Sequence, residues 1–212
     1  NLAALQQKYS QAIPWYEQAL SRDKNSTDAL RGLMNVYLVQ KQPDKALAIV
    51  NRQIEQAPDN SSFYNLLGMV QSNKQDYASA IAAYKKAVEF NKNNAEAYLK
   101  LGQLQAKTGA LDDALVTCNT ASQSNPNESA FYMLRGSIYE KKNDLEKARS
   151  SYDKALQLKP GDPLASNNLA YILLETNSNP DLALQLAQTA RRGLPELSNV
   201  ADTLGWAFYQ KG

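Results

Sequence analysis

The chain has 212 residues, 43% of them apolar, with 23 basic and 21 acidic side chains and a formal charge of +2. That balance describes a folded protein and argues against a basic nucleic-acid face or a polybasic membrane anchor. There is no histidine and one cysteine, Cys118, which removes the commonest general base, an internal disulfide and a Cys/His metal cluster.

The chain opens on "NLAALQQKYSQ", with no initiator methionine and no basic segment leading into an apolar core. It is therefore expected to be a mature or excised fragment, and its compartment is not readable. No run approaches the roughly 18 apolar residues of a membrane-spanning helix. Ala12, Tyr16 and Ala19 fall at helical spacing, so residues 1–26 read as the second half of a helix pair.

From Thr27 onward the sequence repeats in blocks of equal length, over 27–60, 61–94, 95–128 and 129–162. Early in each block stand Leu30, Tyr64, Tyr98 and Tyr132, followed three residues later by Leu33, Leu67, Leu101 and Arg135. The position directly after holds glycine three times, at Gly68, Gly102 and Gly136. Later come the small residues Ala46, Ala80, Ala114 and Ala148, then the bulkier Val50, Tyr84, Cys118 and Tyr152. Offsets of three, four and seven are those of one helix face, so each block is predicted to be two helices. The turns between them are "KQPD", "KQD", "KTGAL" and "KND"; between blocks stand "APDN", "NKNN", "NPNE" and "KPGD". Asn and Asp at the ends of these strings suit a helix N-cap, and Glu128 suits a first turn through the helix dipole.

A glycine within a helix costs about 1 kcal/mol relative to alanine, so its periodic return implies a packing requirement. Gly68, Gly102 and Gly136 are expected to face Ala80, Ala114 and Ala148 across each helix pair, letting the backbones approach. The block 163–197 carries one inserted residue in the turn near 177–180, and 198–212 reads as a further first helix with Leu204-Gly205 in the leucine-glycine slot.

The pattern resembles the tetratricopeptide repeat, a helix–turn–helix unit of about 34 residues. The resemblance covers essentially the whole chain, and its final segment looks like the end of long bacterial members linked to surface-polysaccharide and secretion systems. It implies an all-α fold, a right-handed α-solenoid superhelix of antiparallel helix pairs, in which first helices line a concave groove that takes a protein or peptide segment. Carried over position by position, the groove residues would be Arg31, Asn35, Asn65, Met69, Lys100 and Gln103. In the later repeats they would be Met133, Ser137, Asn168, Tyr171, Asp202 and Trp206. Two ligand patterns known in the family do not fit. Leu66 and Glu96 stand where a carboxylate clamp would carry asparagine and lysine, and Gly32, Leu66, Lys100, Leu134 and Asn168 do not form an asparagine ladder.

Catalysis finds little support in the residues. Asp112 and Asp113 are adjacent and point about 100° apart on a helix, Cys118 falls in a core slot, and no phosphate-binding glycine loop occurs. The expected function is a non-enzymatic scaffold needing no cofactor or metal, with a protein or peptide partner and no nucleic acid. The alternatives are a substrate-recruiting arm of a larger enzyme or export machine, and a structural spacer. Trp15 is read as packing for a repeat outside the sequence. Self-association through an uncovered terminal helix, around Leu204 and Phe208, is a further expectation.

Overall fold

The computed structural model describes residues 2–212, including the side chains of Lys8 and of residues 11–212. These residues form twelve helices and no strand. They are α1 (Leu2–Arg22), α2 (Thr27–Val39), α3 (Pro43–Gln56), α4 (Ser61–Asn73), α5 (Tyr77–Phe90) and α6 (Ala95–Lys107). The series continues with α7 (Leu111–Ser124), α8 (Ser129–Lys141), α9 (Leu145–Leu158), α10 (Pro163–Glu175), α11 (Pro180–Gly193) and α12 (Ser198–Lys211). None of the helices is long and apolar enough to cross a membrane, among the described residues.

Local chemistry sets the helix starts. The side chains of Ser26, Asn60, Asn94 and Asp162 accept backbone N–H groups at the openings of α2, α4, α6 and α10. Asp76, Asp144 and Asn179 do the same for α5, α9 and α11. These contacts satisfy donors that have no partner within the helix. Glu128 stands at the equivalent position before α8 but makes no side-chain cap bond.

The turn inside each helix pair is built one way throughout. Lys41, Gln75, Gly109, Asn143 and Asn177, one per repeat at a constant spacing, all have positive φ, between 45° and 86°. The residue after each donates its N–H to the carbonyl five positions back, as in Gln42 to Tyr37 at 2.8 Å and Asp144 to Tyr139 at 2.9 Å. This left-handed cap closes the last turn of the first helix and reverses the chain. Only one of the five is a glycine.

The chain packs as two compact units, the first ending at Leu104 and the second running from Gln105 to Gly212, with the division inside α6. Each is a stack of helix pairs. In the first unit, Leu20, Leu30, Leu33, Met34, Val50 and Phe63 form one apolar cluster. Tyr84 and Ala80 pack with Leu101 and Leu104 in another. In the second unit, Tyr152, Leu169, Leu173 and Ala187 belong to the main cluster, while Cys118 packs with Ala106, Ala114 and Ile138.

The atoms nearest to Gly68 and Gly136 belong to tyrosine rings, not to alanines. A Cβ placed on Gly32, Gly68 or Gly136 would lie 2.4–2.5 Å from a ring carbon of Tyr16, Tyr84 or Tyr152, each sixteen residues away along the chain. The expected glycine–alanine contact is thus replaced, at Gly68 and Gly136, by a glycine–tyrosine contact. The alanines Ala46, Ala80, Ala114 and Ala148 are fully buried, but the glycine makes room for an aromatic ring laid against the neighbouring backbone. Trp15 is 72% exposed, and a Cβ on Gly205 would meet nothing within 4 Å.

Candidate functional site

In the first unit the sequence-selected side chains converge on a carboxylate. Arg31 on α2 reaches Glu96 on α6, with Nη1–Oε1 and Nη2–Oε2 distances of 3.2 Å each. The arrangement is a two-pronged guanidinium–carboxylate pair, which fixes direction as well as charge. Arg31 Nη1 also lies 4.0 Å from Met69 Sδ on α4. Hydrogen bonding from Arg31 holds the Glu96 carboxyl below its ordinary range, helped by the charge of Lys100 and a bond from Asn65. So Arg31, Asn65, Met69 and Lys100 gather from α2, α4 and α6 onto one face. Asn65 is buried, and its Oδ1 accepts no hydrogen bond. Asn35 and Gln103 are exposed on the same helices and take no part in this cluster.

In the second unit, Asn168, Tyr171, Asp202 and Trp206 line a single open cleft of about 580 Å³. Glu140 from α8 and Asn167, Asn199 and Thr203 complete it. The rings of Tyr171 and Trp206 meet edge-on, with centroids 5.8 Å apart and planes at 66°, a favoured aromatic geometry. The Tyr152 hydroxyl donates to Glu140 Oε2, and burial raises the Glu140 carboxyl above its usual range. Tyr171's phenol is pushed up first by the charge of Glu175, then by burial and by Glu140. The other two selected residues lie apart from the cleft: Met133 packs against the unit's core, and the Ser137 hydroxyl donates to the Leu134 carbonyl at 2.9 Å.

Sequence reasoning missed Glu140, Asn167, Asn199 and Thr203. Asn199 and Thr203 are three positions before Asp202 and Trp206 on the same helix stripe, a spacing that pointed to them. Asn167 stands one full repeat beyond Met133, so strict counting by the period leads to it as well as to its neighbour Asn168. Glu140 carried no signal, because it belongs to the end of α8 and reaches the cleft beside its bond to Tyr152.

A second cleft of similar volume lies on α8 and α9, lined by Tyr132, Arg135, Glu146, Arg149 and Asp153 among others. Volume does not distinguish the two; polar satisfaction does. Arg135 stacks over Tyr132 at 4.8 Å and bonds Ser151 at 3.2 Å, and Arg149 approaches Asp153 at 3.9 Å. Both guanidinium groups thus already have partners within the protein. Cys118 is buried, and burial pushes its thiol up to about 12. It is held as the neutral thiol, the form that lacks nucleophilic power.

Comparison with known proteins follows the same lines. A family model described as "Tetratricopeptide repeat" matches residues 3–70 and 74–138, and a second so described matches 129–162. A search of curated proteins gives no match. Among solved structures, one titled "Crystal structure of YrrB: a TPR protein with an unusual peptide-binding site" is 19% identical. It covers 88% of this chain and 96% of its own, with a TM-score of 0.63. A MamA structure is 25% identical over 71% of this chain and 88% of its own, with a TM-score of 0.60. A thermophilic TPR protein of Thermus thermophilus is 20% identical over 87% of this chain and all of its own, with a TM-score of 0.62.

Proposed function

Because the chain belongs to the tetratricopeptide repeat family, we propose that it is a non-enzymatic scaffold that binds a protein or peptide segment on the inner face of its first helices. The observation that carries this reading is the second-unit cleft. Four side chains chosen for their place in the repeat line it together, combining an amide, a carboxylate and two aromatic rings. Amides bond both donors and acceptors of an extended backbone, and aromatic rings supply contact area at small entropic cost. YrrB, described as a TPR protein with an unusual peptide-binding site, shares this fold, which supports the same reading.

The first unit contributes differently. Its guanidinium is already neutralised by Glu96, so it is a poor receptor for a free carboxylate. Cys118, with its raised thiol, supports the non-enzymatic part of the reading.

The test is selection of a displayed peptide library on the immobilised protein, followed by affinity measurement for the selected peptides. Asn168→Ala and Tyr171→Ala are expected to weaken binding about tenfold each, the size of a lost interfacial anchor. Glu146→Ala and Gln157→Ala, in the other cleft, should leave it unchanged. Peptides that bind all four variants alike would refute the inner-face assignment.

A further inference from the structure

The second-unit cleft offers hydrogen-bond acceptors and no cation. Asp202 and Glu140 are carboxylates, and none of the lining residues is basic. Asn167 lines the same space, is only 5% exposed, and its Oδ1 accepts no hydrogen bond. A buried acceptor without a donor is costly, and a ligand that brings a donor relieves it. Beside these acceptors the Tyr171 and Trp206 rings stand edge to face, 5.8 Å apart. Glu175, at the end of α10, adds negative charge near Tyr171. Acceptors, negative field and aromatic faces together match one side-chain chemistry.

Resting on the inner-face reading above, we propose that this cleft receives an arginine side chain of an extended partner segment. Its guanidinium donates to Asn167 Oδ1 and the carboxylate of Asp202, while its planar face stacks on the Tyr171–Trp206 pair. Arginine fits better than lysine for two reasons. Its five donors are spread in a plane and can reach acceptors contributed by α10 and α12 at once, and its weakly hydrated cation stacks on aromatic rings. The first unit carries the intramolecular counterpart: there Arg31 is the guanidinium, and Glu96 receives it beside Asn65. The second-unit cleft has the acceptors without the arginine.

The experiment uses the full chain carrying Trp15→Phe, so that Trp206 is the sole indole. A displayed random dodecapeptide library is selected on it at low ionic strength, and the recovered peptides are titrated while Trp206 fluorescence is followed. Arginine should be enriched at one position, and its replacement by citrulline or norleucine should weaken binding about tenfold or more. Lysine should fall between, and Asp202→Asn on the protein should reduce the preference for arginine over citrulline. Peptides that bind and perturb Trp206 with no preference for arginine overturn this inference while leaving the inner-face reading intact. Recovery of no peptide sensitive to inner-face substitutions overturns both.

Discussion

At Gly136 the two consequences of lacking a side chain oppose each other. Alanine would favour the helix by about 1 kcal/mol, but its Cβ would lie 2.4 Å from the Tyr152 ring. That ring is fully buried, and its hydroxyl is tied to Glu140, so it has no room to yield. Overpacking of this kind costs about 1–3 kcal/mol and outweighs the propensity gain. Gly136→Ala should therefore lower stability in urea unfolding. Gly205→Ala, where a Cβ meets nothing within 4 Å, should raise it by up to about 1 kcal/mol. Stabilisation by both substitutions would refute the glycine–tyrosine argument. The Arg31–Glu96 pair gives a pH signature at the same scale. Glu96 is held below its ordinary 4.5 in the folded chain, so its contribution is present above that value and is lost as pH falls through the depressed one. The stability gap between the native chain and Glu96→Gln should be open at neutral pH and close in acid. A gap independent of pH would show that the pair contributes nothing. Both partners are partly exposed, so the gap is expected to be small.

Within the elements, the caps carry the contrast. The five residues at positive φ ending the first helices recur once per repeat, yet four of them are not glycine. A side chain in the left-handed region costs about 1 kcal/mol, so Gln75→Gly should stabilise by up to about that amount. Gly109→Ala should destabilise by a similar amount or more. Glu128 is the one inter-block cap position between residues 26 and 162 that makes no side-chain bond, where Ser26, Asn60, Asn94 and Asp162 all make one. Glu128→Asn should add about 1 kcal/mol, read as a higher thermal midpoint; an unchanged midpoint would mean that the dipole term already supplies what the cap would. The exposed pairs Lys74–Asp44 and Lys142–Asp112 join a turn to the preceding second helix. Exposed pairs of this kind hold less than about 1 kcal/mol apiece.

For the molecule as a whole, stability in a repeat array is a sum of terms between neighbours. Helix α10 packs on α9, α11 and α12, and eight of its thirteen residues are buried. Helix α12 packs on α10 and α11 and exposes Phe208 and Tyr209. Hydrogen exchange should therefore be slowest in α10 and clearly faster in α12, as expected where fewer contacts hold a segment closed. Equal protection of the two would contradict stability by neighbour contacts.

The all-helical fold and the order of its helices were legible in the residues themselves. The repeat period, the Asn and Asp caps and the short turns are local signals, and local hydrogen bonding fixes where a helix begins and reverses. A helical period also assigns residues to a face of a helix. Four of the selected residues do line one cleft, and four others gather around Glu96. What each side chain meets was decided only in three dimensions. Period identifies which residues recur but not how one helix is rotated against the next, so Gly68 and Gly136 were paired with alanines when tyrosine rings lie on them. Neighbours such as Asn167 and Asn168 differ by about 100° around the helix, and packing alone settles that Asn167 is the more deeply buried lining residue of the cleft, with an unanswered oxygen. The reach of Arg31 to Glu96, far apart along the chain, depends on three helices stacking side by side, a relation that no sequence spacing encodes.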